Sequence, residues 1–471
     1  MQYDRAMADD EGEAMNAWLT AAQLREAYAK QSLSPVEVVK AQLDRIEKID
    51  STYNAFLRVD ADAALKAAQQ AEKDLLAGKP LGPLHGVPVG IKDIIDIAGQ
   101  TTTCHSKVMQ GTVAKADADC ITALRQGGAI LMGKLALHEF AIGGPSFDLP
   151  YPPARNPWNT NHHPGGSSSG SGAALASGLV PLALGTDTGG SVRHPAAACG
   201  VVGLKPTYDL VSRRGVFPLS FSLDHVGPMA RTVLDTSLLL EALTATSTSP
   251  RAYKASPLNE GIKGLRIGVV RHFHLEDEIA EADMAAAFEE ACRVFEGLGA
   301  QLIDIRLPSL QEFSNPQKVI LMAEGWAIHA KSLRERPGDF AEMSRRKLLC
   351  GAFLSAGDYV HAMQCREALM DSVDHVLQQV DVLLVANSMD PACVIDDVPE
   401  VVRTYTRQAR VPFNLTGHPA LAVPNGFSKA GLPLSMQIVG RYYDEASIFR
   451  VGAAYEQATA WHTMHPAACA D

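Results

Sequence analysis

Residues 165–207 constrain this chain more than any other stretch. They read Gly165-Gly166-Ser167-Ser168-Ser169-Gly170-Ser171-Gly172, then a small and apolar run to Leu184, then Gly185-Thr186-Asp187-Thr188-Gly189-Gly190-Ser191-Val192-Arg193, and close on Gly200-Val201-Val202-Gly203-Leu204-Lys205-Pro206-Thr207. Glycines this dense inside an apolar segment mark backbone that turns sharply or passes close to another group, because only a residue without Cβ reaches such conformations cheaply. Between the two glycine turns, residues 173–178 suit a short packed helix, and residues 180–184 form an apolar run of strand length. The spacing predicts a loop-helix-strand-loop unit with a serine hydroxyl at each end.

Around this unit, helix and strand signals alternate. Residues 20–31 and 34–49 read as helices, the second opened by a capping box from Ser34 to Glu37 with Pro35 in the first helical position. A short strand is expected near Phe56, a helix over 62–76, and a strand over 87–91 that ends at Lys92-Asp93. A helix over 117–126 and a strand over 129–132 follow, then strands over 265–270, 302–305, 382–385, 420–423 and 434–439, with helices over 279–298 and 445–460. Such alternation predicts an α/β fold with a mixed β-sheet core flanked by helices on both sides. Residues 139–164 read as a long loop ahead of the first serine, and residues 308–375 as a helical subregion that walls a pocket. The 471 residues suffice for several average domains or for one large core.

A net charge of −11 without a long basic run argues against a nucleic-acid surface. Eight scattered cysteines with no Cys-x-x-Cys pair read as reduced thiols in a cytoplasmic protein, not as a disulfide or metal framework. Residues 1–12 are polar and acidic, unlike a secretory h-region, and no apolar run is long enough to span a bilayer. Lys92 stands out, because an ammonium at the end of a buried strand is costly unless it is paired or neutral.

The two glycine turns and the closing Cys199-Gly200-Val201-Val202-Gly203-Leu204-Lys205-Pro206-Thr207 together resemble the signature segment of the amidase signature family of serine hydrolases. The likeness extends upstream to Leu84-His85-Gly86-Val87-Pro88-Val89-Gly90-Ile91-Lys92-Asp93, and downstream to Asn414-Leu415-Thr416-Gly417-His418-Pro419 and Leu432-Pro433-Leu434-Ser435-Met436-Gln437-Ile438-Val439-Gly440. The resemblance implies one amidase domain over 1–471, with N-terminal helices over 1–80 and the signature core over 84–240. It also implies a triad: Ser191 as nucleophile, Ser167 on a cis peptide as proton relay, and Lys92 as neutral base. By the same resemblance the N–H groups of Thr188, Gly189, Gly190 and Ser191 form an oxyanion hole, Ser168 and Arg193 support the site, and no cofactor or metal is needed. For Lys92 to be neutral its pKa must fall; burial and Arg193 are expected to lower it, and Asp93 to oppose them.

Competing readings of the same residues are weaker. Gly166-Ser167-Ser168-Ser169-Gly170 fits a Gly-x-Ser-x-Gly nucleophile elbow centred on Ser168, but residues 150–164 make a poor strand to lead into it. Ser344-Arg345-Arg346-Lys347 fits Ser-x-x-Lys, yet its charge suggests a solvated helix face. A phosphate loop lacks its Gly-Lys-Ser/Thr, and His162-His163 lack further metal ligands. His85 and His194 are expected to pack or hydrogen-bond without taking part in catalysis.

Two functions share the signature. The first is a hydrolase of small amides, aryl-acylamides or carbamates (urethanes) acting through an acyl-enzyme, alone or as a homodimer, with no nucleic-acid or membrane partner. The second is the glutamine-hydrolysing component of a tRNA-dependent amidotransferase. By resemblance, that component places an acidic residue seven positions before Asn-Leu-x-Gly-x-Pro to hold the glutamine ammonium, whereas this chain has Arg407 there. A cation would repel the ammonium. The run Phe140-Ala141-Ile142-Gly143-Gly144-Pro145 likewise departs from the Gly-Met-Glu-Gly expected of that component, so the first reading is preferred. Phe147, Tyr151, Phe217 and Phe221 are the expected apolar lining of the pocket.

Overall fold

Eleven strands join into one mixed sheet: β1 (Phe56–Val59), β2 (Pro88–Lys92), β3 (Ile130–Leu135), β4 (Leu182–Asp187), β5 (Val202–Lys205), β6 (His225–Ala230), β7 (Arg266–Val270), β8 (Gln301–Asp304), β9 (Val382–Ala386), β10 (Ala420–Phe427) and β11 (Pro433–Val439). Their spatial order is β1-β3-β2-β4-β6-β5-β10-β11-β9-β7-β8. The computed structural model describes residues 17–79, 81–245, 252–255 and 258–469; the reading of residues 1–12 lies outside them.

The pairing is parallel among β3, β2 and β4 and again among β9, β7 and β8, while β4-β6-β5-β10-β11-β9 run antiparallel. Alternation along each strand divides the core between two faces. In β4, Leu182 and Leu184 belong to one buried cluster with Leu239, Phe288 and Ile448 of the helices Val233–Thr244, Ala282–Gly297 and Glu445–Ala458. Ala183, between them, packs with Leu175 of the helix Ser169–Ala176 and with Val39 and Ile46 of the helix Pro35–Tyr53. Helices therefore cover both faces of one large domain.

Local signals set several boundaries. The Ser34–Glu37 capping box forms as read, worth about 1 kcal/mol for such a cap, and the helix runs on to Tyr53, where Asn54 at φ 50° stops it. The helix expected over 173–178 instead starts at Ser169 and ends at Ala176, because the serines and glycines before Ala173 are small enough to bury a helical turn. The next strand starts at Leu182 and runs to Asp187, past the apolar stretch. Strand β6 carries no strand signal in its sequence, since it contains Gly227 and Pro228. Pro228 is tolerated because β6 meets β5 only at Met229 and Ala230, so the ladder on that side has ended before the missing N–H. Among the described residues no helix is long and apolar enough to cross a membrane.

Candidate active site

Lys92, the last residue of β2, has no solvent exposure. Its Nζ lies 2.8 Å from Ser167 Oγ, 2.9 Å from Ser168 Oγ and 2.7 Å from Thr186 Oγ1. Burial pulls its pKa down to about 7, opposed by Asp187, Asp224 and Cys104. Arg193 and Asp93, the neighbours expected from sequence, are not what sets it. Asp93 is paired with Lys134 at 3.0 Å, and Arg193 is itself neutralised by Asp187.

The two glycine turns converge on this lysine. Ser167 follows a cis Gly166–Ser167 peptide, and its carbonyl accepts from the N–H of His138 at 3.0 Å. The Ser168 N–H donates to the Ser191 carbonyl at 3.1 Å. Ser168 is fully buried, with its hydroxyl donating to the Thr186 carbonyl at 3.2 Å and its oxygen accepting from Thr186 N–H. Of the three serines only Ser191 is partly exposed.

Asp187 organises the second turn. Its carboxylate accepts from the N–H groups of Gly190 at 2.7 Å and Val192 at 3.1 Å, and from the Arg193 guanidinium at 3.1 Å. Burial raises its pKa, but Arg193, Asn414 and His225 outweigh burial and hold the carboxyl well below the usual range. Arg193, also without exposure, donates further to Asn414 Oδ1 at 2.6 Å, Gln437 Oε1 at 2.6 Å and the Arg410 carbonyl at 2.9 Å. The downstream motifs carrying Asn414 and Gln437 thus brace the turn through one ion pair. Sequence reading does not assign Thr186, Asp187, Asn414 or Gln437 to the site. The signal for Asp187 is a carboxylate between glycines in an apolar motif, whose neighbouring N–H groups need an acceptor.

The expected four-donor oxyanion set changes in one member. The Gly190 N–H is already committed to Asp187, whereas among the described residues the N–H groups of Thr188, Gly189 and Ser191 have no acceptor. Gly190 is required for a different reason: at φ 114°, a Cβ here would lie 2.6 Å from Arg410 Cδ, so only glycine lets that side chain pack on the turn.

Ser167, Thr188, Gly189, Gly190 and Ser191 line an open cleft of about 560 Å³, walled by Ile142, Leu219, Tyr405, Val411 and the helix Leu310–Glu335 through Leu310, Gln317, Leu321 and Met322. The expected aromatic lining is not there. Phe217 and Phe221 line a neighbouring depression of about 790 Å³ that contains neither Ser167 nor Ser191, and Phe147 and Tyr151 lie at a third, shallower one. Loop aromatics near the signature in sequence are carried away from it by the chain path.

The Ser344 to Lys347 stretch also differs from expectation. Ser344 is fully buried and bonds Glu139, while Lys347 reaches the cleft and donates to the Gly143 carbonyl at 2.8 Å; of the four residues only Arg346 is exposed. His194 lines the cleft against Tyr405, ring centroids 4.5 Å apart, and burial with Arg410 beside it pushes its pKa well below the ordinary value. His85 is remote, its ring bonded to the Ala71 carbonyl.

The profile of the family described as Amidase matches residues 37–449. The chain belongs to the amidase family. The amidase match spans the cleft walls, both glycine turns and Lys92. Among curated relatives, the A subunit of the glutamyl-tRNA(Gln) amidotransferase of Geobacter metallireducens is 37% identical over 95% of this chain and 98% of its own length. A solved chain described as belonging to a vestigial protein complex that reveals the evolutionary origins of an s-triazine catabolic enzyme superposes with TM-score 0.84 at 31% identity, covering 93% of this chain and 98% of its own. The corresponding A subunit of the Thermotoga maritima glutamyl-tRNA(Gln) amidotransferase superposes with TM-score 0.77 at 33% identity, covering 94% and 95%. The chain is accordingly an amidase-family enzyme that hydrolyses amide C–N bonds.

Proposed function

We propose that the reaction proceeds through an acyl-enzyme on Ser191, with Ser167 and Lys92 moving the proton. The observation that carries this reading is the buried Lys92 with Ser167 Oγ at 2.8 Å, beneath a cleft in which Ser191 is the accessible hydroxyl. As a neutral amine, Lys92 donates its two N–H bonds to Ser168 Oγ and Thr186 Oγ1, and its lone pair accepts from the Ser167 hydroxyl. Ser191 Oγ attacks the substrate carbonyl as its proton passes to Ser167 Oγ and the Ser167 proton passes to Lys92. The tetrahedral oxyanion is held by the N–H groups of Thr188, Gly189 and Ser191. The C–N bond breaks as the proton returns along the same path to the leaving nitrogen, and water then releases the acid by the reverse sequence.

For the substrate, the departure at Arg407 supports a small amide, aryl-acylamide or carbamate cleaved by the chain on its own. Arg407 stands seven positions before Asn414, where the resemblance puts the acid that holds the glutamine ammonium, and its guanidinium engages Asp390 at 2.8 Å and Glu278 at 3.1 Å. These pairs consume the carboxylates nearest to it. The second reading, the glutamine-hydrolysing component of a tRNA-dependent amidotransferase, is the one the comparisons back better: curated relatives that carry that name are 37–39% identical over nearly the whole chain. Assaying the purified chain against anilides, primary amides, carbamates and glutamine separates them. Dominant glutaminase activity that needs added partner proteins establishes the second.

A further inference from the structure

Arg410 is a buried cation that the mechanism above does not use. It is 2% exposed, lines the cleft beside Ser191, and packs against Gly190 of the catalytic turn. One arm of its guanidinium donates to Asn387 and Ser388, at 3.1 Å to Asn387 Oδ1 and 2.5 Å to Ser388 Oγ. Its Nε is buried without a partner. Among the described residues it forms no ion pair, an unusual state for a buried guanidinium, since an uncompensated buried charge is costly. Burial and the nearby Arg193 push its pKa down, and the more distant field of Asp187, already paired with Arg193, opposes them only in part.

The rest of the cleft has the same sign. Lys318 at the rim and Lys347 in the wall also lack carboxylate partners among the described residues. Glu278 is the one carboxylate among the cleft-lining residues, and Arg407 takes it. His138 and His194 are held neutral by burial. A positive cleft in a chain of net charge −11 is a local feature, opposite in sign to the molecule around it.

We propose that Arg410 binds a carboxylate carried by the substrate, so that the preferred substrates are amide monoanions. This rests on the acyl-enzyme reading and deepens it. A carboxylate in the cleft beside Arg410 supplies the ion-pair partner that the guanidinium lacks among the described residues, while a zwitterion brings an ammonium toward three cations. Monoanions should therefore outrank both neutral amides and amino-acid amides.

Pentanamide, glutaramate and glutamine share one carbon skeleton and differ in charge: neutral, monoanionic and zwitterionic. With the full chain, the rate of Ser191 labelling by a fluorophosphonate reagent is measured at increasing concentrations of each, alongside turnover. Glutaramate should protect Ser191 at roughly tenfold lower concentration than either of the others, the scale of one charge-assisted hydrogen bond. Arg410→Gln should abolish that preference, and Arg410→Lys should keep part of it. If Arg410→Gln fails to fold, the wild-type ranking still decides. Equal protection by pentanamide, better protection by glutamine, or a preference that survives in folded Arg410→Gln overturns the proposal. Failure to label Ser191 at all overturns the acyl-enzyme reading instead, and this proposal with it.

Discussion

The N–H of Ser168 donates to the carbonyl of Ser191 across 3.1 Å, and this one bond holds the two glycine turns in register. It leaves the Ser168 hydroxyl facing Lys92 and Thr186 and the Ser191 hydroxyl at the cleft. A fluorophosphonate adduct should therefore map to Ser191 by mass spectrometry, and Ser191→Ala should lose turnover by orders of magnitude while keeping the thermal transition. Ser167→Ala should be nearly as severe. An adduct on Ser168 would revive the nucleophile elbow.

The activity should follow the neutral form of Lys92. With its pKa near 7, the rate rises about tenfold from pH 6 to a plateau above pH 8, because the base works only when unprotonated. Asp224 stabilises the ammonium, so Asp224→Asn should move the limb to lower pH. Lys92→Arg should be inactive at every pH, since a guanidinium does not give up its proton. A pH-rate profile of the arginine variant that matches the wild type would rule out Lys92 as base.

The Asp187–Arg193 pair should behave as a buried ion pair of structural importance. Arg193→Met leaves a buried carboxylate and Asp187→Asn a buried guanidinium, and each should cost about 3–5 kcal/mol in denaturant unfolding. The double variant should cost less than the sum of the two. Additive losses would show that the pair is not coupled.

Gly190→Ala should lower kcat/KM on the order of 10²-fold, the scale of spoiling one oxyanion-hole donor, because Cβ displaces Arg410 or the turn itself. Near-normal turnover by this variant would mean that the turn relaxes around the methyl group.

Catalytic independence is checked most directly on the purified chain. It should cleave a small amide or carbamate faster than glutamine, with no second protein present, because Arg407 stands at the sequence position where the resemblance puts the ammonium-binding acid. Acceleration of glutamine cleavage on adding an amidotransferase partner would reverse this ranking.

What the sequence determined by itself was local. Capping at Ser34 and Glu37, the continuous apolar runs of β2 and β4, and the glycine turns around Ser167 and Ser191 are properties of neighbouring residues, and they sufficed for the fold class and for the place of Lys92 at a buried strand end. Tertiary structure decided everything that depends on residues far apart in the chain. The carboxylates that hold up the Lys92 pKa against burial are Asp187 and Asp224 and not the adjacent Asp93, because strand geometry turns Asp93 toward Lys134. The Gly190 N–H is spent on Asp187, and the cleft is walled by residues near 142, 219, 320 and 410 and not by the aromatics close to the signature. Charge is the last such case: a chain of net −11 surrounds a cleft whose one lining carboxylate folding pairs with Arg407, while Arg410 has no ion pair among the described residues.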